Sequence, residues 1–215
     1  RACDQLPAFI IKRLPVRYTF DNNYFDDLFQ GIPIGGYNRL IDGLLEGIET
    51  HTGVDFFDGL NESWRDVACA LVYTGKIDDY FNHVYGELQY RSLQFEDEIL
   101  DSDNYQGVAI MNYTNVETPY TRIVEHKHFE FQGHELNKIN KTVITREYPA
   151  EYTQETEAYY PINNRENDER YALYKALAHA EKDVVFGGRL AEYKYYDMDD
   201  TIAEAMSYWK NSSDK

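Results

Sequence analysis

Apolar and polar residues alternate with a period of two through the middle of the chain, which predicts strands. The clearest runs are residues 88–95, 107–113, 120–129 and 142–148. Shorter apolar runs at residues 54–57 and 68–73 also read as strands. Leu40, Ile41, Leu44, Leu45 and Ile48 instead keep helical spacing, so residues 38–49 predict a helix with one buried face. Residues 74–81 read as a turn and a short helix. Asn163 and Asn164 are N-cap types ahead of a helix over residues 165–181, with Tyr171, Leu173, Tyr174 and Leu177 inward. The apolar run at Val184 predicts a short buried strand, Gly187-Gly188 a turn, and Asp197–Asp200 the start of a last amphipathic helix. Strands at hairpin spacing followed by helices define an α+β class: a central, mostly antiparallel sheet with flanking helices, closed by a C-terminal strand–turn–helix unit.

Composition narrows the partners. The 215 residues suffice for one large or two small domains, and 43% hydrophobic content can build a core. A formal charge of -17 argues against nucleic acid and against an anionic membrane surface. A phosphate ligand then requires arginines to converge locally. Tyrosine is over-used, at 20 residues; it stacks on rings and bonds phosphate without adding charge, although most of the 20 are expected in the sheet and core. The two cysteines, Cys3 and Cys69, have no metal-like spacing and suit a reducing, cytoplasmic setting, with Cys69 expected buried in its strand. No apolar run is long enough to span a membrane and no signal peptide is visible.

Two groups hint at metal. His126 and His128 share one face of the expected strand, and His134 follows a glycine. Spacing of two permits metal ligation, but no cysteine or carboxylate pattern completes a site, so tyrosine- and acid-paired histidines are the expectation and no metal is assigned. The acidic run Glu96-Asp97-Glu98 and Asp101-Ser102-Asp103 reads as a solvated edge, with calcium as the alternative.

The densest chemistry lies in Gly187-Gly188-Arg189-Leu190-Ala191-Glu192-Tyr193-Lys194-Tyr195-Tyr196-Asp197-Met198. Strand, glycine turn and helix start is an arrangement suited to phosphate oxygens, and also a common plain junction. This wording closely resembles the C-terminal motif of UDP-galactopyranose mutases, flavin-dependent isomerases that interconvert UDP-galactopyranose and UDP-galactofuranose. Further motifs resemble the same family in order: Lys12-Arg13-Leu14-Pro15-Val16-Arg17 followed by Asn23-Tyr24-Phe25, then Met111-Asn112-Tyr113, Pro119-Tyr120-Thr121-Arg122-Ile123, Glu125-His126-Lys127, and Tyr159-Tyr160-Pro161.

The resemblance implies roles residue by residue. Arg13, on a mobile loop, and Arg122 grip the UDP diphosphate. Tyr24 lies near the nucleotide, and Asn112 contacts uridine or sugar. Glu147 stands behind Arg122, a carboxylate that fixes a guanidinium able to fork onto phosphate. Tyr160 and Tyr195 contact phosphate, and Asp197 lies beside the sugar. Gly188, Arg189 and Met198 face the cofactor, reduced FAD, whose N5 is the nucleophile that displaces UDP. The division implied is residues 1–183 as the substrate-binding region and 184–215 as a segment of the FAD-binding domain.

The family's strand-and-Gly-x-Gly-x-x-Gly turn, which holds the ADP half of FAD, has no counterpart here. The chain, opening on Arg1, is therefore expected to be a C-terminal, substrate-arginine half that does not by itself hold FAD tightly or turn over substrate. The surface facing the absent half should be apolar, which permits self-association into a homo-oligomer. The competing reading is a non-catalytic nucleotide-sugar binding module.

Overall fold

The computed structural model describes residues 18–20, 27–129 and 139–213. The chain divides into two compact units, residues 1–47 and 48–215. The first contains helix α1 (Tyr37–Leu44), entered through Gly36 at φ 85°. It is shorter than residues 38–49, because the chain leaves helical geometry at Leu45 and Gly47 takes φ 78°. The expected burial of one face is also corrected: Leu40, Ile41 and Leu44 are all exposed and no residue of α1 is buried.

The second unit opens on a helical turn at Phe56–Leu60 and helix α2 (Asn61–Val67). The strand expected over residues 54–57 does not form. Asp55 caps this turn by accepting from the Phe57 N–H at 2.8 Å, and Gly59 at φ 98° supplies the left-handed residue that joins it to α2. Strand β1 (Leu71–Tyr73) and helix α3 (Ile77–Tyr80) follow. Cys69 precedes β1 in a loop and is exposed, not buried in a strand.

The main sheet holds β2 (Tyr90–Leu100), β3 (Ile110–Asn112), β4 (Arg122–Glu125), β5 (Thr142–Glu151) and β6 (Tyr160–Pro161), in the order β3-β4-β5-β2-β6. Every pairing is antiparallel. Helix α4 (Arg165–Ala180) then leads to β7 (Val184–Phe186), the short helix α5 (Gly188–Ala191) and helix α6 (Met198–Ser213). Strand β7 lies parallel to β1, Leu71 opposite Val184. The molecule is thus α+β, with an antiparallel five-stranded sheet and a separate parallel pair.

The core lies where α4 meets the ends of β2 and the 193 turn: Ile77, Leu88, Tyr90, Tyr174 and Tyr193. Its tyrosine hydroxyls are spoken for. Tyr174 donates to the Gly86 carbonyl at 2.7 Å and accepts from the Tyr85 N–H at 3.0 Å. The Tyr90 hydroxyl donates to Asp78 at 3.0 Å, and the same buried carboxylate accepts the Leu88 N–H at 2.9 Å. Burial pushes the Tyr90 and Tyr193 phenols well above their ordinary values. Helix α4 is capped by Asn164, which accepts from the Asn167 N–H at 2.9 Å. Tyr174 of this helix is fully buried, whereas Leu173, expected beside it, is 48% exposed: it is one residue off the inward stripe. Among the described residues, no helix is long and apolar enough to cross a membrane.

Candidate functional site

A sheet pairs residues directly across its strands on one face. Here Asn112 of β3 pairs with Arg122 of β4, Arg122 with Glu147 of β5, and Glu147 with Phe95 of β2. The three polar members therefore form one transverse row. Arg122 donates its Nε–H to Asn112 Oδ1 at 3.1 Å, and its Nη1 stands 3.6 Å from Glu147 Oε2. Thr121 adds a backbone N–H to the Glu147 carbonyl at 2.9 Å. The guanidinium is thus held from two sides while Arg122 stays partly open to solvent. A pair this exposed stabilises the fold by under about 1 kcal/mol, so its chief consequence is orientation.

Tyr160 belongs to the same face. It pairs across from Arg91, which has the same parity along β2 as Phe95. The Tyr160 and Tyr195 rings stack with centroids 5.4 Å apart, and the Arg189 guanidinium lies 5.3 Å from the first centroid and 4.9 Å from the second. Burial and the neighbouring Tyr195 and Glu147 raise the Tyr160 phenol above its ordinary value, against the pull of Arg189 and Arg122. One surface thus gathers Asn112, Arg122, Glu147, Tyr160, Tyr195 and Arg189 from elements scattered over the second unit.

The 184–200 stretch behaves as strand, turn and helix, with α5 inserted. Gly188 has φ 82°, and a Cβ built there would meet Thr74, so the turn after β7 lies against the loop after β1. Arg189 spends its Nε–H and an Nη2–H on the Tyr196 carbonyl and an Nη1–H on the Tyr159 carbonyl, at 3.1 Å for the last. Tyr159 and Tyr196 are contributors that motif reading missed, because they act through backbone oxygens, which carry no side-chain signature. Asp197 is exposed; its carbonyl accepts from Thr201 N–H and Oγ1–H at the start of α6. Met198 opens α6 and is 57% exposed. Arg13, Tyr24, Cys3 and His134 lie outside the described residues.

The histidine strand is corrected. After Glu125 the chain leaves the ladder for a 3-10 turn, His126–His128, and the two rings part. His128 reaches the fully buried Glu125 at 3.1 Å. Burial pushes the Glu125 carboxyl up, but N–H donors from Gln106 and Tyr105, the Thr142 hydroxyl and His128 outweigh it and hold it below the ordinary range. His126 instead contacts Thr145. The acid run behaves largely as expected, since β6 pairs only with residues 90 and 91 of β2, leaving 96–98 paired on one side. Glu98 sits 2.7 Å from Arg146 there. Elsewhere Asp78, Asp79 and His83 offer atoms close enough for a common ion, a cluster motif reading missed. Its two carboxylates are already engaged: Lys76 sits 2.8 Å from Asp79, and Asp78 accepts from Leu88 and Tyr90.

Comparison with known proteins shows the family that the motifs resemble. The family model for UDP-galactopyranose mutase matches residues 1–195, and the chain belongs to that family. It is 40% identical over 205 residues to the probable UDP-galactopyranose mutase of Klebsiella pneumoniae, covering 94% of this chain and 51% of that protein. It is 34% identical over 226 residues to the dTDP-fucopyranose mutase of Escherichia coli, covering 98% and 57%. The UDP-galactopyranose mutase of Mycoplasma pneumoniae is 30% identical over 217 residues, covering 95% and 53%. The chain spans about half the length of these curated relatives.

Proposed function

We propose that this chain is the substrate-binding portion of a cytoplasmic UDP-galactopyranose mutase, and that the sheet face bearing Arg122 holds the diphosphate of UDP-galactose and UDP-galactofuranose. The observation that carries this reading is the Asn112–Arg122–Glu147 row with the Tyr160–Tyr195 stack on the same surface. In a chain of charge -17, a held and partly open guanidinium is an anion contact of the kind a diphosphate needs. Arg122 is the diphosphate contact and Glu147 its positioning carboxylate. Asn112 orients Arg122 and meets uridine or sugar; Tyr160 and Tyr195 face phosphate, and Asp197 the sugar. By motif position Arg13 is the second diphosphate contact in this reading, and Tyr24 a nucleotide contact.

FAD is the cofactor of the complete enzyme in this reading. Gly188, at positive φ behind a parallel strand, lets backbone approach a ligand closely. Arg189 has five N–H donors, and the three used on carbonyls leave two for an anion. Met198 presents an exposed apolar side chain. The donor set therefore fits one edge of a dinucleotide, and residues 184–215 serve as the segment returning to an FAD-binding domain. When bound, reduced FAD supplies the nucleophile that displaces UDP. The residues here hold the departing diphosphate, spread its charge and keep it for return. The E. coli relative's name, a dTDP-fucopyranose mutase, suggests the same framework serves more than one nucleotide sugar.

The test is turnover by the complete enzyme. Arg122→Ala should lose about 2–4 kcal/mol of transition-state stabilisation, on the order of a hundredfold in rate. Arg122→Lys should rescue poorly, since an ammonium cannot make the planar fork. A near-normal rate for the alanine variant would make Arg122 structural and end this reading.

A further inference from the structure

The face that carries Arg122 has a second polar row. Strand alternation places Val124 of β4, Thr145 of β5 and Asp97 of β2 on that face, one row beyond Arg122–Glu147–Phe95. Thr145 donates its hydroxyl to Asp97 Oδ1 at 2.5 Å, and its oxygen lies 2.6 Å from Nε2 of His126. A hydroxyl has one hydrogen, and an ionised carboxylate can only accept. With that hydrogen on Asp97, Thr145 must accept from His126, so Nε2 carries a proton and, in the neutral ring, Nδ1 is the acceptor. Thr145 is buried while His126 is exposed. Around this chain the face is apolar and open: Phe95, Ile99, Ile110 and Val143 are all exposed. An apolar surface with few, oriented polar groups is the composition of a ligand site.

We propose that the Asp97–Thr145–His126 chain is a second subsite of this face, in which His126 Nδ1 accepts a hydrogen bond from a ring hydroxyl of the nucleotide sugar. The inference rests on Arg122 as the diphosphate contact. Thr145 lies two residues from Glu147 on β5, about 7 Å along the strand, which is the span of one sugar ring beside a phosphate. Ribose and hexose both present such hydroxyls, and both adjoin the diphosphate. Asp97 and Thr145 are positioning residues: they fix the tautomer and the ring plane, as carboxylates do behind ligand-facing histidines.

Two measurements test this. Long-range 1H–15N correlation spectra of the protein should show His126 as the Nε2–H tautomer, and Thr145→Val should mix the tautomers. Titration of the complete enzyme with UDP and with UDP-galactose should show His126→Ala binding about fivefold to tenfold more weakly, one lost hydrogen bond. Thr145→Val should lose a similar factor, and the double variant no more than either alone. Loss with both ligands assigns the hydroxyl to ribose; loss with UDP-galactose alone assigns it to the hexose. Unchanged affinity for both ligands in His126→Ala, with Arg122→Ala weakened, would overturn the subsite and leave the diphosphate reading standing. Wild-type protein that binds neither nucleotide, or Arg122→Ala that binds UDP normally, would sink both. An Nδ1–H tautomer for His126 would overturn the subsite alone.

Discussion

Two tyrosine-rich regions of this molecule look alike in sequence and behave oppositely. Where α4 packs on the start of β2, Tyr90, Tyr174 and Tyr193 are buried and bond backbone or a buried acid, Asp78. On the open face of the sheet, Tyr160 and Tyr195 stack beside Arg189, half-buried or exposed, next to Arg122. In the core, polar groups satisfy one another and serve stability. On the sheet face, they are oriented but left within reach of solvent, where the proposed ligand would meet them. The lesson is that a residue type does not tell these uses apart; the fate of its polar atom does.

That contrast can be broken by substitution. The largest effect on stability is expected at Asp78. Asp78→Ala strands the buried Leu88 N–H and the Tyr90 hydroxyl, at about 1–3 kcal/mol each. Chemical denaturation should show it, and UDP affinity of the folded fraction should hold. A denaturation midpoint unchanged from wild type would show that the core does not depend on this acid. Arg122→Ala should do the reverse. UDP binding should weaken by about 1.5–3 kcal/mol while stability moves by less than about 0.5 kcal/mol; calorimetric titration beside thermal melting reads both. The tyrosine pair sharpens the contrast at a smaller scale. Tyr174→Phe should cost about 1 kcal/mol of stability, and Tyr160→Phe almost none, with the penalty appearing in nucleotide affinity instead.

The smallest effects are in pH. Burial, followed by Glu192 and Tyr196, raises the Tyr171 phenol to about 12. A phenol raised on folding contributes stability that is complete below its unfolded value near 10 and is lost as pH climbs through about 12. Ultraviolet titration should therefore show one tyrosine ionising near that window or on unfolding, and Tyr171→Phe should remove it. Glu125 runs the other way. Its depressed carboxyl contributes stability above the ordinary carboxylate value, lost as pH falls through the lower folded value. Glu125→Gln should flatten that acid limb, and an unaltered limb would show the four donors to be irrelevant. Flavin absorbance after desalting adds a separate check: the chain should retain little FAD, and a yellow, near-stoichiometric protein would show that it encloses the cofactor unaided.

Much of the fold was legible because β2 and β5 are long and alternate, and because Asn164 announces α4. Residues 54–57 misled, since an aromatic pair beside Val54 reads as a strand. In the structure Phe56 packs on Tyr73 and Tyr80 from a helical turn that Asp55 caps and Gly59 permits. His126 and His128 misled for a related reason: alternation continues past Glu125, but the ladder does not. At the site, motifs pointed to Arg122, Asn112 and Glu147 separately, and only the strand register shows them as one row. The Arg189–Tyr159 contact and the Asp97–Thr145–His126 chain join segments 19 or more residues apart, and both Arg189 partners are backbone oxygens, which spacing along the chain does not encode.

The parallel pairing of β1 with β7 has a consequence for the order of assembly. Leu71 meets Val184 only after the whole sheet and α4 have been laid down between them. Closing so long a loop carries a larger entropy cost than forming any hairpin, and non-local pairing of this kind forms late. The segment from Gly188 to Tyr195 follows directly on β7, so the Arg189–Tyr195 end of the surface should be completed last and released first. Val185→Ala should therefore speed unfolding while leaving the refolding rate almost unchanged. A slowed refolding limb would place this pairing in the nucleus instead.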